Sequence, residues 1–423
     1  MNICLFSIVT YWHGVKGGME IHGKVLCEGL VKRGHEVTVI STRNPDGKEY
    51  EEVNGIKIYY LTGTHFSTYW KKWGKESLRK FEILNEINPF DVILSQSFSG
   101  YYFAKNKKKY RTPLVALLQG AGPYITIAKI KVSFKHQNIS IAEVFRVSLS
   151  YIVHYFILQL PTVLGSDLII CASDHVNESV RKWFPVREKA IYTIMNGIDT
   201  IEFSPNGQER NRLRNHLGVK EGELLLMTSG TISKEKGHHL AVEALNILLK
   251  KNVKLKLMIV GNGEYLISIS SLIDQYGLKD NTIITGFVPN ELISNYYNAA
   301  DIYLIPTFRA EGLPFALIEA MSVSLPIIAS KAGGIPNVLE NDKEGLLIGP
   351  GDTDGIVSKV LILLRNKDLR KSLGASARNK VLNELNAENM VDRTLKVIES
   401  NISPDMSDTS IISVNNIKDY IEK

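Results

Sequence analysis

The sequence predicts an α/β protein of two consecutive doubly wound parallel-sheet domains with a ligand cleft between them. Three observations carry this expectation. The chain has 423 residues, more than one hydrophobic core usually serves. Short runs of Val, Ile and Leu alternate with helical patterns along most of its length, as in strands joined by crossover helices. The alternation breaks at Pro205-Asn206-Gly207 and then begins again.

Taken in order, Ile3–Val9 reads as a first strand and Glu20–Arg33 as a helix stopped by Gly34. Val37–Ser41, Ile56–Leu61, Val92–Ser95, Leu114–Leu118, Leu168–Cys171 and Ala190–Ile194 extend the first sheet. The second series is Leu224–Ser229, Leu255–Val260, Thr282–Thr285, Ile302–Pro306, Ile327–Ala329 and Gly345–Ile348. Helices at His238–Lys251, Glu264–Tyr276, Asn290–Ala299, Phe315–Ser322 and Gly355–Leu364 fit between its strands. The expected organisation is therefore two Rossmann-like domains, 1–205 and 206–385. A terminal helix, 386–400, is expected to pack back on the first domain, followed by a weakly ordered polar tail, 401–423.

Hydrophobic residues make up 44% of the chain and charged residues 22%, ordinary values for a soluble globular protein. Residues 1–205 carry 25 Lys and Arg against 18 Asp and Glu, a balance of +7, whereas residues 206–423 carry 25 against 26, or −1. Part of the excess lies in Lys71, Lys72, Lys75, Arg79 and Lys80, and in Lys105, Lys107, Lys108, Lys109 and Arg111. Such runs are most often solvated surface, but they also suit an anionic membrane face. No nucleic-acid-binding motif accompanies them, so nucleic acid is not an expected partner.

Cys4, Cys27 and Cys171 are far apart in apolar settings and suggest neither a disulfide framework nor a metal site. The N-terminus lacks a charged leader and runs into a Gly-rich loop, which favours a strand over a signal peptide. A cytoplasmic protein, at most peripheral on the inner face of a membrane, is expected. The apolar stretch Val144 to Leu164 is interrupted by Arg146, His154, Gln159 and Pro161. It reads as a buried helix in preference to a membrane span or a surface-lying helix.

The chemistry concentrates in Glu311-Gly312-Leu313-Pro314-Phe315-Ala316-Leu317-Ile318-Glu319. Pro314 suits the first turn of the helix that follows, so Glu311 falls in the strand-to-helix loop and Glu319 inside the helix. Ligands of open parallel sheets bind at the carboxyl ends of strands, and the amides from Gly312 onward suit an anion. One such acid alone would be explained as a helix-dipole partner or a solvated side chain. The pair in this setting points to a binding site.

Other loops share the pattern of strand, glycine-rich turn and helix. They are Gly14 to Glu20 with Gly17 and Gly18, Ser229 to Gly237 with Thr231 and Lys236, Gly261-Asn262-Gly263, and Gly286-Phe287. Their glycines allow close backbone approach to a phosphate or a planar base, and Lys236 offers a flexible charge for a diphosphate. Each signal is weak alone, because a tight turn or a surface lysine explains it equally well.

In this order the segments resemble the retaining glycosyltransferases of family 4, built as two facing Rossmann-like domains in the GT-B fold. The resemblance spans Ile3 to about Leu395. It rests on Gly17-Gly18-Met19-Glu20, Arg33-Gly34-His35-Glu36-Val37, Asn196-Gly197-Ile198-Asp199 with Phe203 and Pro205, Lys236-Gly237, Gly261-Asn262-Gly263, Ala300-Asp301, and Glu311-Gly312-Leu313-Pro314 with Glu319. It implies a nucleoside diphosphate sugar as donor, UDP- or GDP-linked, no metal or other cofactor, and a glycan or lipid-linked acceptor. Glu319 would then hold the ribose, Glu311 and the Gly312, Leu313, Pro314 and Phe315 segment the transferred sugar, and Lys236 with Gly17 and Gly18 the diphosphate.

Two positions depart from the implied pattern. Thr231 stands where the family usually has a phosphate-binding Arg, and Arg309 is an alternative source of that charge. Gln119, followed by Gly120-Ala121-Gly122-Pro123, stands where the family usually has a His. A Gln can bond a sugar hydroxyl but cannot take a proton, which favours a leaving phosphate that assists the incoming hydroxyl. Together the expected catalytic residues are Glu311, Gln119 and Lys236. A sugar-nucleotide epimerase of the same architecture, or a non-catalytic sugar-nucleotide-binding subunit, are the alternative readings.

Overall fold

The computed structural model describes residues 1–15, 17–70, 72–123, 141–186 and 191–402. The expected position 190 of one strand, Lys71 of the first basic cluster, Lys16 of the first Gly-rich loop and the tail from residue 403 lie outside them.

The first sheet holds β1 Asn2–Ser7, β2 Glu36–Thr42, β3 Tyr50–Val53, β4 Ile56–Leu61, β5 Val92–Gln96, β6 Leu114–Leu118, β7 Leu168–Cys171 and β8 Ile191–Thr193, in the order β3-β4-β2-β1-β5-β6-β7-β8. All its pairs are parallel except β3 with β4. β3 escaped the sequence reading because Tyr50-Glu51-Glu52-Val53 is short and polar, an edge strand held by one neighbour. The second sheet holds β9 Leu224–Ser229, β10 Leu255–Val260, β11 Thr282–Gly286, β12 Ile302–Ile305, β13 Ile327–Ser330 and β14 Leu346–Ile348, all parallel, in the order β11-β10-β9-β12-β13-β14. Helices cover both faces of each sheet, so the inner strands are buried on both sides and read as near-continuous apolar runs.

The helices that matter for the site are α1 Gly18–Lys32, α2 Trp73–Ile87, α3 Ile141–His154, α4 Leu160–Gly165, α5 Asp174–Trp183, α6 His238–Lys250, α7 Asn290–Ala299, α8 Phe315–Ser322, α9 Lys367–Glu384 and α10 Ala387–Asn401. A π-helical turn, Tyr155–Gln159, joins α3 to α4. The helical pattern after Asp368 divides at Asn386, whose side chain caps α10 by accepting from the amide of Asn389.

Two crossings link the domains, and they are bonded to each other. The Ile198 amide donates to Leu385 O at 3.1 Å, and the Ala387 amide to Ile198 O at 2.8 Å. Gly197 lies so close that a Cβ there would sit 2.2 Å from Asn386 O. After the return crossing, α10 lies on α1. Met390, Val391, Leu395 and Ile398 join Leu26, Cys27 and Leu30 in one buried cluster, and Arg33 pairs with Glu388 at 2.6 Å and Asp392 at 2.7 Å.

The helix over 144–165 corrects one expectation, since only 22% of its most apolar window is buried inside the protein. Leu158, Thr162 and Val163 are packed inside. Upstream, Phe145, Leu149, Ile152, Val153 and Phe156 face solvent. A helix hydrophobic all round reads as buried from sequence alone, whereas tertiary packing covers only one end of this one.

Candidate functional site

A cleft of about 1360 Å³ lies between the carboxyl ends of the two sheets. From the first domain it is lined by Gly17 and Gly18 at the start of α1, by Gln119 just past β6, and by one face of α3. The second domain contributes Thr231 and Lys236 after β9, Gly261 after β10, Phe287 after β11, and Arg309 to Phe315 after β12, with Glu319 from α8.

The loop after β12 carries the charge. Buried β12 stops at Pro306, and Pro314 then precedes α8 as its N-cap, so residues 307–313 must cross the mouth of the cleft. Gly312 is packed where a Cβ would be 2.1 Å from Gln119 O. Only glycine lets this loop touch the opposite domain. Lys236 Nζ donates to Glu311 Oε1 at 2.5 Å. The two expected ligands thus neutralise each other across the site. Arg309 Nε is buried with no hydrogen-bond partner, an orphan donor in a cleft wall.

Glu319 lies deeper. Tyr297 of α7 donates its hydroxyl to Glu319 Oε2 at 2.8 Å, and Ser229 Oγ ties Tyr297 and Tyr303 together at 2.9 and 2.7 Å. Burial pushes the Glu319 carboxyl up to about 7, the Tyr297 hydroxyl offsets part of that, and the charge of Glu202 adds to it. His238, buried behind Lys236 at the start of α6, is pushed down to about 3 by burial and by the Lys236 charge, so it stays neutral.

The Gln119 amide is already engaged. It donates to Asn196 Oδ1 at 3.0 Å and accepts from Asn196 Nδ2 at 2.9 Å, and the same Asn196 nitrogen reaches Leu313 O at 3.1 Å. Gln119 therefore joins a first-domain strand end to the interdomain crossing and to the loop after β12. Its amide keeps one N–H and one lone pair for a ligand.

The glycines of the Gly17-Gly18 loop face close neighbours, one within the loop and one across the cleft. The nearby backbone of Gly17 and of Glu20 itself offsets part of the burial cost at the Glu20 carboxyl, and a Cβ at Gly17 would meet Glu20 Oε2 at 2.4 Å. Burial raises the Glu20 pKa. A Cβ at Gly18 would lie 3.2 Å from the Phe315 ring.

Gly263 and Gly286 stand outside the cleft wall. A Cβ at Gly263 would collide with Ile232 O at 2.3 Å, and Gly286, at φ +68°, accepts from the Gly261 amide at 2.9 Å. Gly263 permits close loop-to-loop packing, whereas Gly286 serves its left-handed backbone, since a Cβ there would meet nothing within 4 Å. The sequence reading missed Tyr297, Ser229 and Tyr303, single polar residues inside otherwise ordinary strands and helices. It also missed Arg146, Tyr151 and His154 of α3. Only the break of the apolar run at Arg146 and His154 signalled them.

Residues 16–202 match Glycosyltransferase Family 4, and residues 209–380 match Glycosyl transferases group 1. An uncharacterized glycosyltransferase of Methanocaldococcus jannaschii is 27% identical over 394 residues, 90% of this chain and 94% of that protein. A putative colanic acid biosynthesis glycosyltransferase of Escherichia coli is 28% identical over 235 residues, 54% of this chain and 55% of its own length. Among solved structures, Anabaena HepE in complex with UDP-glucose superposes with a TM-score of 0.73 at 18% identity, covering 95% of this chain and all of that one. Two parallel-sheet domains, a cleft between their carboxyl ends and two family signatures in sequence order lead to one assignment: the chain is a glycosyltransferase of family 4 with the GT-B fold.

Proposed function

We propose that this glycosyltransferase moves a sugar from a nucleoside diphosphate, UDP- or GDP-linked, to a glycan or lipid-linked acceptor, with retention at the anomeric carbon and no divalent metal. The observation that carries the reading is the meeting of Glu311, Lys236 and Arg309 around the start of α8, with Glu319 deeper in the same helix, in one cleft. In this reading Glu319 accepts from the ribose hydroxyls and Glu311 from the donor sugar. Lys236 is released from Glu311 to meet the diphosphate, joined by Arg309 and the amides at the head of α8.

When the bond from the anomeric carbon to the phosphate oxygen breaks, negative charge grows on the leaving group. These fixed donors stabilise it as it develops. The acceptor oxygen bonds the same face of the carbon, and its proton passes to the departing phosphate oxygen, so no protein base is required. Gln119, bound to Asn196, positions the loop and offers its remaining N–H to a sugar hydroxyl. The UDP-glucose complex of HepE and the polysaccharide pathway in the name of the E. coli relative support the donor and acceptor classes. A cytoplasmic location, where nucleotide sugars are made, belongs to the same reading.

A thermal-shift panel of UDP, GDP and ADP sugars with chelator present tests it, because a ligand that binds only the folded state raises its melting point. One nucleotide class should raise the melting temperature. Lys236→Ala and Arg309→Met should each weaken that binding by about 1.5–3 kcal/mol, the worth of a charged hydrogen bond. Binding that requires added metal, or is indifferent to both substitutions, overturns the reading.

A further inference from the structure

One helix carries two opposite stripes. Arg146, Val147, Ser150, Tyr151 and His154 of α3 line the cleft. Phe145, Leu149, Ile152, Val153 and Phe156 follow helical spacing on the other side, with exposures of 68, 49 and 61% at Phe145, Ile152 and Phe156. Among the described residues this is the one helix long and apolar enough to cross a membrane. It does not read as a span, because the π turn and Pro161 interrupt it and its far end, Leu158, Thr162 and Val163, is locked into the first domain.

Two tryptophans, each just over a third exposed, lie beside the same helix. Trp70 packs edge-on against His154 with ring centroids 5.4 Å apart, and the backbone carbonyl of Trp183 accepts from the Tyr155 hydroxyl at 2.5 Å. Each tryptophan has a lysine beside it. Exposed Lys72 precedes α2 two residues after Trp70, and Lys182 Nζ lies 5.6 Å from the Trp183 ring centroid. An exposed apolar helix face with Trp and Lys on the surface nearby has the chemistry of a helix lying in the headgroup layer of a bilayer. A second copy of the chain would set these lysines against their own kind, whereas anionic headgroups neutralise them.

We propose that the outer face of α3, with Trp70 and Trp183, is a docking surface for an anionic lipid bilayer. The acceptor is then an amphiphile whose apolar part stays in that bilayer while its polar end reaches the cleft along the inner face of the same helix. This deepens the proposed function and rests on its acceptor reading.

The test is co-sedimentation of the full-length protein with vesicles of phosphatidylcholine, with or without about one third phosphatidylglycerol, beside calorimetry with UDP and GDP. The protein should bind the anionic vesicles at least tenfold tighter than the neutral ones, and less in high salt. The variant Phe145→Glu/Leu149→Glu/Phe156→Glu should lose at least tenfold, and Lys72→Glu/Lys182→Glu should lose the preference for anionic vesicles. Both should keep the wild-type melting temperature and nucleotide affinity, since neither touches the cleft. No vesicle binding by the wild type, equal binding by the triple variant, or a dimer that the triple variant disperses without any vesicle binding overturns the proposal. Vesicle binding without nucleotide binding supports the surface and sinks the donor reading instead.

Discussion

Glu319 shows how a binding group is kept costly in the empty protein. Its carboxyl is buried beside Tyr297 and titrates near 7, above the unfolded value near 4.5. The folded state therefore holds an extra proton between those values, and stability falls as pH rises through that window. Above pH 7 the ionised form costs up to about 3 kcal/mol by that shift. Glu319→Gln keeps a group for the Tyr297 hydroxyl but no charge. Denaturant melts should find it more stable than wild type at pH 8 and nearly equal at pH 5, while calorimetry shows donor affinity at least tenfold lower. A variant less stable at pH 8 would mean that the ionised carboxylate is already compensated. In the wild type, donor binding should strengthen as pH rises through 7, because ribose hydroxyls need the carboxylate as acceptor. Glu311 and Glu319 were legible in the sequence because two acids bracketed a Gly and a Pro. Tyr297 was not, and Asn196 was legible only as part of a family segment, since the roles of both depend on which distant group they face.

At the level of elements, nearly every strand was readable, because inner parallel strands buried on both faces become short Val, Ile and Leu runs. The surface helices α2 and α5, in which polar and charged residues outnumber apolar ones, were not placed from sequence. Loop contacts were also hidden. Gly312 looks like the start of an anion-binding turn, and its backbone also touches Gln119 O across the cleft. Gly312→Ala should therefore push the domains apart at that point, costing about 1–3 kcal/mol of overpacking strain. Transfer rate should fall, while nucleotide binding, made within the second domain, changes less; steady-state kinetics beside calorimetry separates the two. Equal losses in both would place the damage in the second domain alone.

For the whole molecule, the return of the chain after Asn386 makes the first domain depend on the end of the sequence. The Arg33 pairs with Glu388 and Asp392 involve largely exposed carboxylates and add little. The buried contacts of α10 decide the matter. Ile398, fully buried, should cost about 2–5 kcal/mol when cut to Ala. Calorimetric unfolding should show that loss while nucleotide affinity in the second domain persists. The sequence by itself determined the two-domain α/β architecture, the family and the charged loop after β12, because strand burial, turn glycines and cap residues act over a few neighbouring positions. Tertiary structure alone decided that Gln119 is tied to Asn196, that Lys236 rests on Glu311, and that the apolar helix is left open to solvent. Those outcomes depend on which surfaces meet after folding, and contacts between residues far apart in the chain leave no local pattern to read.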